Sequence, residues 1–290
     1  VGWATTYFPV AQNNFRLNFV DVDPDTWNID TNKIEKAITK DTCAVMPVNL
    51  LGNSCDYTAI KALCDKHNLL LIEDNCESMG AFYDGQFTGT IGLAGSFSFF
   101  FSHHIQTMEG GMVLCQNIDD AHYLRSMRAH GWVRDLPANS PLYEKTGNAF
   151  NDNFVFATAG YNVRPLEMSG AIGLEQLKKW PLIQHTRTQN AMHFRDLFES
   201  KPWCRIQKII GRSSWFTFGM VLDGVLKGRR SEVITALDQA GIQNRPLASR
   251  NFLRQPVMRD LDYIDNQDYS AADDIHDNGF FVGNGSEDIR

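Results

Sequence analysis

The chain has 290 residues, of which 43% are hydrophobic and 21% are charged, which is the composition of an ordinary globular protein. Its formal net charge of −7 argues against a nucleic-acid-binding surface. No apolar run approaches the roughly 20 residues of a membrane span, and no signal peptide is visible, so we expect no nucleic-acid and no membrane partner.

Strands and helices alternate through the first quarter of the chain. The patterns predict helices over residues 7–14, 31–39 and 57–67 and strands over residues 19–23, 44–51 and 69–74. The last of these strands is apolar on both faces, as strands covered by helices on both sides are. The spacing is that of βαβ units, so we expect an α/β fold with a mostly parallel sheet.

The third strand ends in two carboxylates, Glu73 and Asp74. In an open α/β sheet the carboxyl ends of the strands carry the ligand site, so Asp74 is a candidate site residue. A helix N-cap is the plainer interpretation of Asp74.

An aromatic run, residues 96–101, leads to a second polar group, His103 and His104, and then to a Glu-Gly-Gly turn at 109–111. The plain alternative is two polar residues at a strand end. We expect no metal site, because adjacent residues point in different directions and no cluster has the spacing of metal ligands.

The second half of the chain predicts a smaller unit. A helix over residues 118–130 ends at Gly131, and a polar loop follows over 135–155. A long helix then extends over about 166–199, interrupted near Trp180 and Pro181. Beyond it we predict strands over 203–207 and 215–222 and a helix over 231–240.

The six cysteines are scattered, without a CxxC pair, at positions Cys43, Cys55, Cys64, Cys76, Cys115 and Cys204. Most lie in apolar strand or helix contexts, so we interpret them as reduced core thiols of a cytoplasmic protein. The chain starts at Val1 and stops where a helix could begin. We therefore expect it to be a fragment of a longer reading frame.

Two stretches resemble the pyridoxal-phosphate (PLP) sugar aminotransferases of the DegT/DnrJ/EryC1/StrS type. One is Phe97-Ser98-Phe99 with the later Glu109-Gly110-Gly111, and the other is Gly160-Tyr161-Asn162-Val163-Arg164. The resemblance covers nearly the whole chain. It implies PLP-dependent aminotransferase fold type I, with a large PLP-binding domain over 1–172 and a small C-terminal α+β domain over 173–290.

In that family a lysine bonds the cofactor covalently, and the position of this lysine corresponds to His103 here. The family's Gly-Glu-Gly-Gly turn also differs in this chain, because Met108 replaces its first glycine. A histidine cannot make that bond, but it can move protons near neutral pH. Histidine at this position is typical of the 3-dehydratase branch.

The resemblance therefore implies pyridoxal or pyridoxamine 5′-phosphate as the cofactor and glutamate as the amino donor. It implies removal of the C3 hydroxyl of a nucleotide-linked 4-keto-6-deoxyhexose, with the GDP-linked 4-keto-6-deoxymannose as the expected substrate, in deoxysugar and O-antigen biosynthesis. The residues themselves leave GDP, CDP and UDP open.

The resemblance also assigns the cofactor contacts. Trp3 would stack on the pyridine ring, Asp74 would keep the ring nitrogen protonated, and Glu77 would lie on the ring hydroxyl side. Ser98 and Asn162 would bind the cofactor phosphate. A Gly-Ser or Gly-Thr turn that binds the same phosphate in the family belongs upstream of Trp3, so we expect the N-terminal part of the large domain to precede Val1.

Three arginines are candidate substrate ligands: Arg134, Arg164 and Arg245. A surface ion pair with Asp135 is the plainer interpretation of Arg134. In the family the segment that carries Asn162 and Arg164 crosses to the neighbouring subunit, which implies a homodimer with shared active sites.

Three alternatives remain beside this interpretation. An ordinary aminotransferase is disfavoured by His103, and a non-catalytic paralogue is disfavoured by the retained cofactor residues. An iron-sulfur hexulose dehydrase needs four cysteines after the histidine, whereas only Cys115 and Cys204 follow His103. We therefore expect no iron-sulfur cluster.

Overall fold

The computed structural model describes residues 1–289, which form two four-stranded sheets joined by one long helix, and two further sheets of two strands each. The helices are α1 (Ala4–Gln12), α2 (Thr31–Ala37), α3 (Tyr57–His67), α4 (Ile118–Met127), α5 (Ala149–Asp152), α6 (Glu167–Phe198), α7 (Arg230–Gln239) and α8 (Ser270–Asn278). The strands are β1 (Leu17–Asn18), β2 (Ala44–Val45), β3 (Leu70–Asp74), β4 (Phe82–Tyr83), β5 (Gln86–Phe87), β6 (Ala94–Ser98), β7 (Gly111–Cys115), β8 (Cys204–Ile206), β9 (Thr217–Leu222), β10 (Asn244–Arg245), β11 (Tyr263–Ile264) and β12 (Gly279–Gly283). Within residues 1–289, none of these helices is both long enough and apolar enough to cross a membrane.

The first sheet has the order β2-β3-β6-β7. Strands β2, β3 and β6 are parallel, and β7 pairs antiparallel with β6 at the edge. Helix α3 connects β2 to β3 and begins at Asp56, whose carboxylate accepts from the amide of Ala59 at 3.1 Å. Its apolar side, with Ile60 and Cys64, packs against Val45 and Leu71. The predicted mostly parallel sheet is confirmed. The carboxyl ends of β3 and β6 carry two candidate site residues, Asp74 and Ser98.

A buried carboxylate connects the two central strands of this sheet. Glu73, near the end of β3, accepts from the amides of Gly89 at 2.6 Å, Ile91 at 2.6 Å and Gly92 at 2.7 Å. These amides belong to the turn that leads into β6, and Gly89 has the left-handed φ of +83° that a glycine adopts without cost. These three hydrogen bonds therefore hold the turn against the end of β3, and β6 starts in the register that pairs Asp74 with Ser96.

The second sheet has the order β10-β12-β9-β8 and is antiparallel throughout. Helix α6 carries the chain from the first sheet toward it, so the division predicted after residue 172 falls inside a helix, and it stays a prediction. One core cluster is shared between the two halves of the chain, since Trp27 and Leu51 pack with Phe216 and Ile275.

Three predicted elements differ from the structure. Residues 19–23 do not form a strand, because Asp21 turns away to accept from the first amides of α8, those of Ala271 and Ala272. The strand predicted over 44–51 is limited to β2 and a single bridge at Val48. Helix α6 is not interrupted, and Pro181 lies inside it, because buried residues on both sides of the proline hold the helix against the protein.

We expect Glu73→Gln to lower the free energy of unfolding by about 1–3 kcal/mol, because an amide replaces one accepting oxygen with an N–H donor that faces backbone amides. Denaturant unfolding followed by circular dichroism would measure the change. The matched control is Glu175→Gln, an exposed residue of α6 that pairs with Lys178 on the helix surface, for which we expect a change within about 0.5 kcal/mol. Equal stability of the two variants would contradict a role for Glu73 in holding the turn.

Candidate active site

Asp74 lies at the carboxyl end of β3 and is buried, with 7% of its surface exposed. Its two oxygens are held by different elements: the hydroxyl of Thr6 in α1 donates to Oδ2 at 2.6 Å, and the amide of Cys76 donates to Oδ1 at 3.1 Å. The plainer interpretation as an N-cap does not describe this arrangement, because no α-helix begins at Asp74. A buried carboxylate oriented on both oxygens can hold a cationic group of a ligand.

Glu77 follows in the turn after β3, and its Oε2 accepts from the amide of Leu51 at 2.9 Å. The pKa of Glu77 is raised to about 7, chiefly by burial, while the hydrogen bond from Leu51 lowers it and the charge of Asp74 raises it. The carboxyl group of Glu77 is therefore partly protonated at neutral pH.

His103 lies after β6, half-buried between the rings of Phe100 and Phe216. Its Nδ1 is 3.2 Å from the carbonyl oxygen of Ser98. Because a carbonyl only accepts, Nδ1 carries the hydrogen, and Nε2 keeps its lone pair as a base. Burial lowers the pKa of His103, and the charge of Arg187 lowers it slightly more; the Ser98 backbone, Asp74 and a weaker interaction with the Cys76 backbone oppose this, and the neutral ring is favoured at neutral pH.

His104 has a different environment from its neighbour. It is buried against Trp180 and Phe216, and its Nε2 is 3.0 Å from the carbonyl of Ser214. Burial, and then the charge of Arg187, holds the pKa of His104 well below its usual range. His104 is therefore a neutral packing residue, and His103 is the histidine next to Asp74 that has an available nitrogen.

The donor set around Asp74 fits a cofactor with a cationic aromatic ring. Asp74 offers a carboxylate to a protonated ring nitrogen, and Trp3, at the start of α1, has an exposed indole that can cover a ring face. Ser98 lies at the end of β6, where its hydroxyl accepts from the amide of Phe100 at 3.3 Å and can still donate to a phosphate. These assignments, with Glu77, stay predictions.

The four remaining predicted residues lie elsewhere on the chain surface. Arg134 stacks on Trp132 at 4.0 Å and also pairs with Asp135 at 3.3 Å, while Arg164 lies 5.8 Å from the same ring. Asn162 forms a bridge with Ala129, and Arg245 is exposed on β10. Among the contacts recorded for residues 1–289, none joins these four side chains to Asp74 or His103. Their roles stay predictions.

Sequence reasoning did not identify two residues of α1 that border the site. Thr6 donates to Asp74, and the half-buried phenol of Tyr7 lies close enough to both carboxylates that their charges, after burial, raise its pKa. Nothing in the local pattern indicates either residue, since their partners are about 70 positions away. Within residues 1–289 no three His, Cys, Asp or Glu side chains are arranged to hold a metal ion.

The fold and the site together define an α/β enzyme that holds a ring cofactor at the end of a parallel sheet and has a histidine where a proton can be moved. The profile of the DegT/DnrJ/EryC1/StrS aminotransferase family matches residues 1–284. The chain belongs to this family.

Known proteins similar to the chain include a curated relative and two solved structures. GDP-4-keto-6-deoxy-D-mannose 3-dehydratase of Yersinia pseudotuberculosis is 46% identical over 291 residues, which cover 100% of this chain and 74% of the relative. Two crystal structures of GDP-4-keto-6-deoxymannose-3-dehydratase, one with bound GDP-perosamine and one with a trapped PLP-glutamate geminal diamine, each match with a TM-score of 0.97 and 42% identity. Both matches cover 100% of this chain and 75% of the other. The expected fold, that of PLP-dependent aminotransferases, is confirmed.

The carboxyl group of Glu77 makes stability depend on pH. Its folded pKa of about 7 exceeds the unfolded value of about 4.3, so the folded state binds more protons between these values. Its contribution is fully present below about pH 4 and is lost as the pH rises through about 7. We expect wild type to lose about 1–2 kcal/mol relative to Glu77→Gln across this window, allowing for partial exposure.

Denaturant unfolding at several pH values between 4 and 8 would measure this difference. Glu144→Gln, at an exposed site in the 135–155 loop, is the matched control and should follow wild type at every pH. A parallel pH dependence of wild type and Glu77→Gln would show that Glu77 titrates normally.

Proposed function

We propose that the chain is a PLP-dependent 3-dehydratase that removes the C3 hydroxyl of a nucleotide-linked 4-keto-6-deoxyhexose, GDP-4-keto-6-deoxymannose being the favoured substrate. Similarity to the named 3-dehydratases extends over the full chain, at 43–46% identity. The observation that carries the proposal is His103 itself, a base with an available Nε2 beside Asp74, where the family's aminotransferases have a lysine.

Several residues would hold the cofactor, with Asp74 at the ring nitrogen, Trp3 on the ring face, Glu77 on the hydroxyl side and Ser98 at the phosphate. When bound, pyridoxamine 5′-phosphate supplies an amine for the C4 ketone of the sugar and a ring that accepts electrons. Thr6 and the amide of Cys76 keep the Asp74 carboxylate in one orientation, so its charge is available to the ring nitrogen without rearrangement.

His103 would move the proton. Its Nδ1–H is fixed on the Ser98 carbonyl, which leaves Nε2 to take a proton from carbon and to return it to a departing hydroxyl as water forms. The lowered pKa keeps the ring neutral and ready to accept. Because an imidazole does not form an imine with an aldehyde, His103 does not compete with glutamate, the amino donor, for the cofactor.

The active protein would be a homodimer in which Asn162 and Arg164 complete the partner's site, and Arg134, Arg164 and Arg245 contact the substrate. This part rests on the family resemblance and on an exposed apolar surface. Side chains of the 150–182 region expose half or more of their area to solvent, which is rare for a monomer's surface: Phe150, Phe154, Phe156, Tyr161, Val163, Leu166, Met168, Leu174 and Leu182.

The cytoplasm is the compartment we propose for this enzyme. All six cysteines are free thiols, and three of them are buried. Burial raises the pKa of the Cys55 and Cys64 thiols, which keeps them in the unreactive protonated form that a structural core thiol has.

His103→Asn should lower the dehydration rate by about 10²–10⁴, because the base is lost while the ring packing is largely kept. His103→Lys should lose dehydration as well, but it should gain a covalent bond to the cofactor that borohydride makes permanent and mass spectrometry detects. His67→Asn, at a half-buried site on α3 that pairs with Glu35, is the control and should keep the wild-type rate. Full dehydration by His103→Lys without bonding would remove His103 from its proposed position.

Leu174→Asp should shift the protein toward the monomer, because a carboxylate would be buried in an apolar interface. Leu174 is 65% exposed in the single chain. Sedimentation velocity at micromolar concentration would measure the shift, with Val225→Asp as the control, since Val225 is 78% exposed on the far, C-terminal part. A wild-type monomer with undiminished cofactor affinity would refute the shared site.

A further inference from the structure

A cavity of about 330 Å³ lies between α1 and the segment 246–257. One wall is aromatic and comes from the start of the chain, with Trp3 and Phe8. The opposite wall comes from nearly 250 residues later and includes Ser249, Arg250 and Gln255. The cavity therefore combines ring surfaces with a guanidinium, the two features that a phosphorylated or carboxylated small molecule with an organic ring requires.

Hydrogen bonds fix the two walls to each other and to the active site. The amide of Ser249 donates to the carbonyl of Gly2 at 3.0 Å, and the side chain of Gln255 donates to the carbonyl of Ser249 at 2.9 Å. Thr6, one helical turn after Trp3, donates to Asp74. A ligand in the cavity would thus lie beside the same helix that orients the catalytic carboxylate.

Arg250 is a cation without an acidic partner. Among residues 1–289, no carboxylate lies within 4.0 Å of its guanidinium. The charged groups around it are of both signs: two arginines, Arg230 and Arg254, and the carboxylates Asp273 and Asp277, both of which pair with Arg254. Because these carboxylates pair with Arg254, the guanidinium of Arg250 is the cation of this cluster that can pair with an anion at the cavity wall.

The backbone around Arg250 is held in an unfavourable conformation. Ala248 and Arg250 have φ angles of +44° and +62°, in the left-handed region that side chains other than glycine rarely adopt. Such strain persists only where the surroundings impose it, and it is found at ligand-binding segments more than elsewhere. Here the bonds from Ser249 and Gln255 impose it, and they place Arg250 on the cavity wall in one position.

We propose that this cavity is an oxyanion subsite of the enzyme, in which Arg250 binds the anionic part of a small-molecule substrate and Phe8 contacts its organic part, beside the Trp3 indole that would cover the cofactor ring. The subsite rests on the proposed function, which supplies two such anions: the diphosphate of the nucleotide sugar and the carboxylate of glutamate. The guanidinium fork fits both, and the aromatic wall favours the diphosphate, whose nucleoside has a ring to pack.

Calorimetric titration of the PLP-loaded protein with GDP, and separately with L-glutamate, tests the subsite. We expect Arg250→Met to raise the dissociation constant for GDP about 10–100-fold, since a charge-assisted bidentate contact is lost. Arg250→Lys should recover part of the loss, because it keeps the charge without the fork. Arg259→Met is the matched control, because Arg259 is an exposed arginine two residues after this segment and outside the cavity lining, and this variant should bind as wild type does.

Each outcome decides the proposal. Weakened GDP binding supports the diphosphate as the anion, and weakened glutamate binding with unchanged GDP binding supports the carboxylate. Unchanged affinity for both ligands in Arg250→Met, with thermal unfolding like that of wild type, overturns the subsite, as does a wild type that binds neither. A failure of the proposed function would be visible separately, as a wild type that binds GDP through Arg250 but does not dehydrate the keto sugar.

Discussion

The contact between the Glu73 carboxylate and three backbone amides is the constraint on which the site depends. A carboxylate without solvent needs several donors, and the turn at residues 89–92 supplies them. This closure sets the register of β6 against β3, which places the ends of both strands side by side. That register fixes the positions of Asp74 and of the Ser98 carbonyl. The Ser98 carbonyl in turn orients His103 by its contact with Nδ1. Glu73 is therefore structural, although it is adjacent in the chain to Asp74, the carboxylate proposed to hold the cofactor ring.

The polar side chains of the site differ because their environments differ. Asp74 accepts from a hydroxyl and an amide, which hold its carboxylate in one orientation. Burial acts on the other two groups in the same sense, since it disfavours their charged forms: it raises the pKa of Glu77 and lowers the pKa of His103. A carboxyl group that tends to keep its proton and a neutral imidazole can thus coexist near neutral pH.

Sequence patterns were sufficient for the parallel sheet, and they placed Asp74 at the end of a strong strand signal, whereas the assignments of Glu77 and His103 came from the family resemblance and stay predictions. The same patterns could not indicate Thr6, which donates to Asp74 about 70 positions away, or Arg250, whose neighbour Ser249 donates to Gly2 nearly 250 positions earlier. Two predictions that relied on local sequence alone were wrong. Pro181 did not end α6, because packing on both sides outweighs one lost hydrogen bond, and Asp21 caps α8 although its alternating neighbours favour a strand. Long-range contacts decided each of these cases.

The pairing of the first and last parts of the chain has a consequence for the order in which the protein can mature during synthesis. Strand β1 pairs with β11, and Gly2 accepts from Ser249, so α1 has no complete set of neighbours until about residue 264 has left the ribosome. At about 5–20 residues per second, that delay is on the order of ten seconds or more. The parallel sheet with Glu73 can form much earlier, since its strands end by Cys115. The nascent chain can therefore carry this sheet, with Asp74 at its edge, before α1 and Thr6 are held in place beside it.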